Sequence, residues 1–526
     1  MTGECALAGS MSRRVLPATP RLCAVDRAPV LLLLLLQSAL WASSSAGPLH
    51  LDPQSALDRY VSAFDPHYSY TVLDHLTRRG EEFTTYVLNM TSLKWLNESV
   101  VDRAVWWHYV RVTVPHHIAP GLEDSAFLFI DGGSNRAAPP TYPSLLQAFI
   151  GAFAVSAGTV SACVSQIPNQ PLSFPQDVAG KRSRSEDSLM AYTWWHFLNN
   201  HTDEPDRLLL FPMTKAAVRA MDTVSDFILK ISAGKRHIDR FTVSGASKRG
   251  WTAWLTAAVD PRVVSFTPIV LDFLNMTPSL HHHFRAYGGW SFAFRSYYEL
   301  NITELLDSSQ MGLLTKLIDP LAYSRRYRDK PKLVISTVGD EFFLPDDSHY
   351  YYQQLQGDIM LRMVPNAEHS CVGHWMSVLL SAQSFYLSTM LGHGRPTMHW
   401  NMTQSAESGA IYLYTDVPPL SVVSYHTDTA DPTRRDFRWI VAVPGHPDIL
   451  LFRPTLWRPS SVTSPSPGVY MKQLPVPKAG WRAFFIEATF PGPMGTVQTF
   501  TTEVNVIPDV FPFPECKAQK CHGTLV

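Results

Sequence analysis

A tight turn between a buried strand and a helix is the feature that most limits what this chain folds into. Residues 241–255 read FTVSGASKRGWTAWL, an apolar run joined to a helical pattern through small residues. A serine on such a turn projects from the edge of a sheet, and its crowded backbone needs small neighbours, here Gly245 and Ala246. Ser247 is therefore the candidate nucleophile. The commonest form of the turn has glycine two residues after the serine, where this chain has Arg249 followed by Gly250.

Buried strands and helices alternate on both sides of this turn. An antiparallel-type strand at 105–115 comes first, and LLLFPMTK is expected to be a loop broken by Pro212. Apolar strands are predicted at 125–135, 160–168, 241–247, 265–271, 332–341 and 359–370, with helices at 145–158, 189–198, 216–234 and 249–260. This alternation predicts the α/β class with a mainly parallel central sheet.

The pattern divides the chain into four parts. Residues 1–46 are predicted to be a signal peptide, and 47–120 an N-terminal flap with the first strands. Residues 121–400 form the predicted main domain, with an aromatic, cap-like insertion at 275–327. From 410 to 526, short β-rich runs alternate with Pro and Gly clusters, which is typical of a β-sandwich.

The N-terminal segment indicates secretion. Its apolar run VLLLLLL at 30–36 is followed by ASSSAG, which predicts cleavage near Ala46, and Met11 is an alternative start. An uncleaved anchor is disfavoured because the apolar stretch is shorter than the roughly 20 residues of a spanning helix. Glycosylation is predicted at Asn89, Asn97, Asn200, Asn301 and Asn401, while Pro278 disfavours Asn275. We expect a secreted protein with no membrane span after cleavage.

The charge balance excludes two classes of partner. Hydrophobic residues make up 45% of the chain, charged residues 17%, and the formal net charge is -1. This is a globular composition without the basic patch that nucleic acid or an anionic membrane requires. We expect no nucleic-acid partner.

Four cysteines follow the predicted leader: Cys163, Cys371, Cys516 and Cys521. In an oxidising compartment an even set favours disulfides. Cys516 with Cys521 would close a small loop, and Cys163 with Cys371 would tie two strand ends near the candidate site. Four cysteines allow three pairings, and the sequence leaves all of them open.

Partners for Ser247 follow it in the order that acyl transfer requires in this kind of sheet, first an acid and then a histidine. His369 comes just after a predicted strand and is the candidate base. Asp340 ends the preceding strand and is the candidate acid, with Glu341 as the second choice. Asp346 or Asp347 is expected to cap the helix that follows them.

The donors of an oxyanion hole are predicted on two loops. Backbone N–H groups usually come from the residue after the nucleophile and from the loop after an early strand. These positions are Lys248 and, in the DGGSN loop, Gly133 or Ser134. The histidines at 281–283 are expected in a loop, because adjacent histidines do not readily converge on one ion. We expect no metal and no cofactor.

At this point the sequence resembles the PhoPQ-activated pathogenicity-related proteins, which include autocrine proliferation repressor-like proteins. The resemblance rests on segments spread over most of the chain: DRYVSAFDPHYSY, WWHYVRVTVP, IDGGSN, SQIPNQPLSF, RSEDSLMAYTW, FPMTKAAVRAMD, SGASKRGWTAWLTAAVDPRV, TVGDEFFLPDD, PNAEHS and TRRDFRW. It implies an α/β-hydrolase fold with a C-terminal β domain and puts Ser247, Asp340 and His369 at hydrolase positions. The G-x-S-[basic]-x-G turn is also similar to that of glucuronoyl esterases.

Two hypotheses follow. The first is a secreted serine hydrolase that cleaves an ester or amide bond of a small molecule or peptide, with an esterase favoured over a peptidase. The second is a catalytically silent secreted signalling or binding protein, growth-regulatory and acting through a cell-surface receptor, because a fold does not determine a function.

Overall fold

A mixed ten-stranded sheet organises the larger part of the chain. In the computed structural model, the described residues are 54–177, 183–199, 201–443, 445–453 and 455–526, so the predicted signal peptide and Asn200 lie outside them. The strands of this sheet are β1 (Ser69–Val72), β2 (Arg78–Arg79), β3 (Phe83–Lys94), β4 (Val105–Pro115), β5 (Ser125–Ile130), β6 (Val160–Val164), β7 (Arg240–Ala246), β8 (Val263–Ile269), β9 (Lys332–Thr337) and β10 (Ile359–Val364).

The order of the strands is β1-β3-β4-β6-β5-β7-β8-β9-β10, with β2 paired to β3. The strands β1 to β4 pair antiparallel, as does β4 with β6, whereas every neighbouring pair from β6 to β10 is parallel. The carboxyl ends of β5, β7, β9 and β10 therefore meet at one edge, where crevices for ligands form in such sheets.

Helices cover both faces of this sheet. They are α1 (Ala56–Ser62), α2 (Leu145–Ala157), α3 (Glu186–Leu198), α4 (Leu210–Ile231), α5 (Lys248–Val259), α6 (Met276–Tyr287), α7 (Arg295–Tyr298), α8 (Ser309–Ile318) and α9 (Trp375–Met390). Successive residues of β5 point to opposite faces of the sheet. Leu128 packs on one face with α4 and α5, and Phe127 packs on the other face with α2 and α9. The chain has the α/β-hydrolase fold.

The prediction of a loop at LLLFPMTK is wrong, because α4 begins at Leu210 and includes Pro212 in its first turn. Proline is tolerated there, since its missing N–H would have no partner in the helix. The expectation of a loop at 281–283 is also wrong: these histidines lie on α6 and are buried.

Most of the insertion at 275–327 is helical. Besides α6, α7 and α8 it contains short 3₁₀ helices at Phe292–Phe294, Ile302–Leu305 and Pro320–Tyr327. Beyond it, the segment after Asp346 forms two 3₁₀ turns, Asp347–Tyr350 and Tyr352–Gln354. The expected helix capped by Asp346 or Asp347 is therefore not formed. The Asp346 carboxylate instead binds Arg435, and that of Asp347 binds His282.

The C-terminal part consists of antiparallel strands. These are β11 (Met398–Gln404), β12 (Ser408–Thr415), β13 (Ser421–Asp428), β14 (Ile440–Val443), β15 (His446–Phe452), β16 (Arg458–Ser460), β17 (Thr463–Ser466), β18 (Val469–Pro475), β19 (Arg482–Pro491), β20 (Val497–Thr501) and β21 (Asn505–Ile507). One sheet has the order β11-β12-β18-β17, another β16-β13-β19-β20 with β21 beside β19, and β14 pairs with β15.

The two larger C-terminal sheets share a core with the hydrolase part. Ile411 of β12, Ile486 of β19 and Phe385 of α9 belong to one buried cluster. Residues 55–526 form a single compact unit, and the domain bounds drawn from the sequence stay predictions. No helix of the described residues is both long and apolar enough to cross a membrane.

One of the candidate disulfides is formed. Cys516 and Cys521 are bonded, whereas Cys163 and Cys371 are buried free thiols, so the pairing of those two is not present. Each thiol instead has an oxygen neighbour, the Asp131 carboxylate for Cys163 and the His369 carbonyl for Cys371, at 4.0 Å in both cases. Four of the predicted glycosylation positions are exposed, namely Asn89, Asn97, Asn301 and Asn401.

Candidate active site

Ser247 lies between the end of β7 and the start of α5. Its backbone has φ +56° and ψ −129°, a strained conformation that is rare for a residue other than glycine. The backbone N–H of Ser247 donates to the carbonyl of Ile269 on the neighbouring strand β8, at 2.8 Å. The turn is therefore held from outside by the sheet.

Two glycines allow this turn to pack tightly. A Cβ added at Gly245 would lie 2.6 Å from the carbonyl oxygen of Arg249, and one added at Gly250 would lie 3.0 Å from the carbonyl oxygens of Gly245 and Ile269. The start of α5 thus packs closely against the strands at these two glycines.

His369 connects Ser247 with Asp340. The Nε2 atom of His369 lies 2.9 Å from Ser247 Oγ, and its Nδ1 atom lies 2.7 Å from Asp340 Oδ2. Both distances are within hydrogen-bond reach of a nucleophile, a base and the acid that orients it. The three residues that the sequence selected are brought together in one chain of hydrogen bonds.

The Asp340 carboxylate is fixed by the loop that follows β9. The backbone N–H groups of Phe342 and Phe343 donate to Asp340 Oδ1, at 2.7 and 3.2 Å. Burial would lower the pKa of His369, but the charge of Asp340 and its hydrogen bond more than offset this and raise the pKa. The ring of Phe342 packs on the imidazole, with 4.6 Å between ring centroids.

Glu341, the second choice for the acid, has a different contact. Its Oε2 atom accepts the backbone N–H of His369 at 3.2 Å, and its Oε1 atom is buried without a hydrogen-bond partner in the described part of the chain. Burial and the neighbouring charge of Asp340 raise the pKa of Glu341 to about 8. Glu341 therefore contacts the backbone of His369, whereas Asp340 contacts its imidazole.

Arg249 forms a partly buried ion pair that the sequence did not reveal. Its guanidinium binds both carboxylate oxygens of Glu186, and its Nε atom donates to the carbonyl of Ile167 at 2.6 Å. Burial would raise the pKa of Glu186, but Arg249 and Lys248 hold it far below its ordinary value. Glu186 lies in the segment RSEDSLMAYTW, which carried the family resemblance without any indicated role.

The predicted oxyanion donors lie on the two loops next to Ser247. Lys248 is the first residue of α5, and first-turn N–H groups have no acceptor within their helix. The Gly133 loop follows β5, which pairs with β7 so that Ile130 is opposite Gly245. Gly133 has φ +138°, which suits glycine, and Ser134 bridges to Gln170. The oxyanion role of Lys248 and Gly133 or Ser134 stays a prediction.

The Lys248 side chain is neither free in solvent nor aimed at a vacant anion site. Its ammonium group is buried and lies 2.9 Å from Glu186 and 3.2 Å from Asp187. Together with the Arg249 pair, this makes a cluster of two cations and two carboxylates behind the turn. The cluster is close to neutral, so it anchors the turn more than it attracts charge.

A narrow pocket opens beside Ser247. Its cavity volume is about 40 Å³, and about 600 Å³ with the open mouth included. Apart from Ser247, Asp187, Lys248 and Thr303, its lining is apolar or aromatic: Met190, Trp194, Trp251, Leu271, Phe273, Leu280, Phe294, Tyr297, Ile302, Leu306, Phe342 and Phe343. The insertion contributes several of these side chains, so it covers the site.

Two groups of side chains in the described residues have the spacing of metal ligands. In the first, His281 lies near Cys516 and Cys521, but both sulfurs are used in the disulfide. The second consists of His196, His201 and Glu204, and the Glu204 carboxylate is already paired with His196 and Arg207. Neither group lines the pocket at Ser247.

Two solved structures of known proteins are similar to part of this chain. The chain is similar to acetyl xylan esterase 1 from Thermoanaerobacterium sp. JW/SL YS485, with 16% identity, a TM-score of 0.40, and coverage of 64% of this chain and 92% of that one. It is also similar to an acetyl xylan esterase from Paenibacillus sp. R4, with 16% identity, a TM-score of 0.41, and coverage of 60% and 86%.

Sequence comparison gives a much closer relationship. The autocrine proliferation repressor protein A of Dictyostelium discoideum is 38% identical over 504 residues, which is 94% of this chain and 97% of that protein. The family model described as PhoPQ-activated pathogenicity-related protein matches residues 57–438 and so includes the whole Ser247, Asp340 and His369 constellation. The chain belongs to the family of PhoPQ-activated pathogenicity-related proteins.

Proposed function

We propose that this protein is a secreted serine hydrolase that cleaves an ester or amide bond through an acyl-enzyme. The observation that carries the proposal is the continuous hydrogen-bonded chain from Ser247 Oγ through His369 to Asp340. A strained turn that exposes the serine adds support, because strain of this kind collects at functional sites.

The reaction proceeds in two halves. Ser247 Oγ attacks the carbonyl carbon while His369 Nε2 takes the serine proton, and Asp340 stabilises the imidazolium that results. The oxyanion is held by the backbone N–H groups of Lys248 and of Gly133 or Ser134. His369 then gives the proton to the leaving alcohol or amine. Water repeats these steps on the acyl-enzyme and releases a carboxylic acid and free Ser247.

The pocket favours a short, apolar acyl group. Its walls are aromatic and aliphatic, and its free interior is small beside Ser247. Pockets of this composition select by shape and exclude charged groups that would lose their hydration. We therefore favour esters of short acids over peptides with charged side chains, and an esterase over a peptidase.

Secretion is part of this proposal. The Cys516–Cys521 disulfide and the exposed asparagines of four sequons are consistent with passage through the secretory pathway. The predicted signal peptide at 1–46 provides entry to it. Recovery of the mature chain, without residues 1–46, from the medium of expressing cells tests this part, and endoglycosidase treatment should lower its apparent mass.

Hydrolysis of p-nitrophenyl esters tests the activity. Wild-type protein should hydrolyse the acetate faster than the decanoate, and Ser247→Ala and His369→Gln should each lower kcat/KM by about 10⁴-fold. Ser309→Ala, at an exposed serine on α8, serves as the matched control and should be as active as wild type. Turnover by wild type that equals turnover by Ser247→Ala would reject the proposal.

A catalytically silent signalling protein is the second candidate. The name of the 38% identical relative, a proliferation repressor, favours it. In this case a receptor would recognise the surface, and Ser247 would not be needed. Purified wild type and Ser247→Ala are compared for growth inhibition of cultured cells. Equal inhibition supports the silent protein, and loss of inhibition with unchanged folding and secretion favours the hydrolase.

A further inference from the structure

A second, apolar groove lies on the other side of the sheet from α5, between α2 and the outer strands β3 and β4. Its volume is about 1000 Å³ with its open side included. Its apolar lining consists of Phe83, Pro143, Ala148, Gly151, Ala152 and Val155. Within the described residues it shares no lining side chain with the pocket at Ser247.

Small residues on α2 create this space. Ala148, Gly151 and Ala152 lie on successive turns of the helix and face the strands, where larger side chains would normally fill the gap. A Cβ added at Gly151 would make only an ordinary contact, at 3.6 Å, with Thr113 Oγ1. Ala148 and Ala152 are exposed, so the apolar surface is left uncovered in the part of the chain that the structure describes.

Two arginines reach this groove from β2 and β4, the strands on either side of β3. Arg78 of β2 pairs with Thr85 of β3, and Thr85 pairs with Thr113 of β4, so these side chains are on one face of the sheet. Arg111, two residues before Thr113, is on the same face. Both arginines line the groove.

Arg111 is buried without a counter-charge. Its exposed fraction is 7%, its Nε atom is buried with no hydrogen-bond partner, and its Nη2 atom donates only to the carbonyl of Pro140, at 3.2 Å. None of the described carboxylates forms an ion pair with Arg111 or Arg78. Burial and the repulsion from Arg78 lower the pKa of Arg111. Buried charges in proteins are normally paired, and none of the described carboxylates pairs with Arg111.

We propose that the groove binds an aliphatic carboxylate of the fatty-acid type. The carboxylate pairs with Arg111 and Arg78, and guanidinium groups bind carboxylates in a two-point geometry. The alkyl chain lies along α2, against Ala148, Gly151 and Ala152. An amphiphile matches both halves of the groove, whereas a small inorganic anion would leave the apolar surface exposed and a neutral lipid would leave the arginines unpaired.

Titration calorimetry with monomeric dodecanoate, below its micelle concentration, tests this site on the full secreted chain. We expect saturable binding to wild type and binding of dodecanol, which has the same chain and a neutral head, weaker by about tenfold or more. Arg78→Ala and Arg111→Leu should weaken dodecanoate binding by a similar factor. Ala148→Phe should abolish it because the ring fills the groove.

Arg79→Ala is the matched control, because Arg79 neighbours Arg78 on β2 and does not line the groove. It should bind dodecanoate like wild type. Arg78 is exposed, so its variant tests the site even if Arg111→Leu fails to fold. Equal affinity for dodecanol and dodecanoate, or unchanged binding in Arg78→Ala and Ala148→Phe, would overturn the proposal. Binding only to phosphatidylglycerol vesicles would overturn it as well and assign the face to a membrane surface.

Discussion

The Arg249 guanidinium forms a two-point ion pair with the Glu186 carboxylate, with Nη1···Oε2 and Nη2···Oε1 distances of 2.7 and 2.6 Å. The same guanidinium lies against Gly132, where an added Cβ would be 2.8 Å from Nη2. One side chain thus joins the serine turn, the start of α3 and the glycine loop after β5. The residue that departs from the commonest turn sequence is the one that holds these three parts together.

Replacement of Arg249 is expected to damage catalysis more than binding. In Arg249→Met the turn and the glycine loop lose their connection, and a shift of about 1 Å at reacting groups costs about 100-fold in rate. We expect kcat for p-nitrophenyl acetate to fall by about 10- to 100-fold with a smaller change in KM. Arg79→Met is the surface control. Unchanged kcat in folded Arg249→Met would show that the ion pair only supports the fold.

Asp340 and Glu341 are adjacent acids with different expected roles. Asp340→Asn removes the charge that orients and stabilises the imidazolium, so kcat/KM should fall by about 10⁴-fold. Glu341→Gln keeps an oxygen for the backbone N–H of His369 and should cost less than about tenfold. Steady-state kinetics of the two variants separates the roles. A larger loss of kcat/KM in Glu341→Gln than in Asp340→Asn would show that Asp340 is not the acid.

The activity should depend on pH through His369. The pKa of His369 is raised above its ordinary value of 6.5, because the contribution of Asp340 exceeds the opposing effect of burial. Since the base must be neutral to accept the serine proton, kcat/KM should rise with pH through a pKa above 6.5. In Asp340→Asn the pKa of His369 should be lower, so the pH at which the residual activity rises should also be lower than in wild type. A profile that is flat from pH 5 to about 8 would contradict this account.

The C-terminal disulfide is expected to stabilise the pocket as well as the chain end. The loop that it closes contacts the Ile302–Leu305 segment, where Glu304 pairs with His522 at 3.1 Å, and Ile302 lines the pocket. Closing so short a loop is worth about 2 kcal/mol. The double variant Cys516→Ser, Cys521→Ser should therefore unfold at a lower temperature and show a raised KM. An unchanged KM would show that the disulfide supports only the C-terminus.

Much of the hydrolase part was predictable from local pattern. Ser247 stands after an apolar strand and before a helical run, and His369 and Asp340 follow the ends of two later strands. Because parallel strands share one edge of the sheet, chain order alone predicted that the three side chains meet.

Contacts between distant segments were not predictable in this way. Glu186 lies 63 residues from Arg249, and nothing local marks either as half of an ion pair. Pro212 was interpreted as a helix breaker because its place in the first turn depends on where the helix starts. Local pattern predicts a loop at 281–283, because the carboxylates that bind two of these histidines, Asp307 and Asp347, lie elsewhere in the sequence.

Labelling with a fluorophosphonate tests the central claim most directly. The reagent forms a covalent bond with an activated serine, so wild type should be modified once, and mass spectrometry should locate the adduct in the peptide that contains Ser247. His369→Gln should react much more slowly, since its serine has no base. Folded wild-type protein that stays unmodified, or an adduct that persists in Ser247→Ala, would contradict the assignment of Ser247 as the nucleophile.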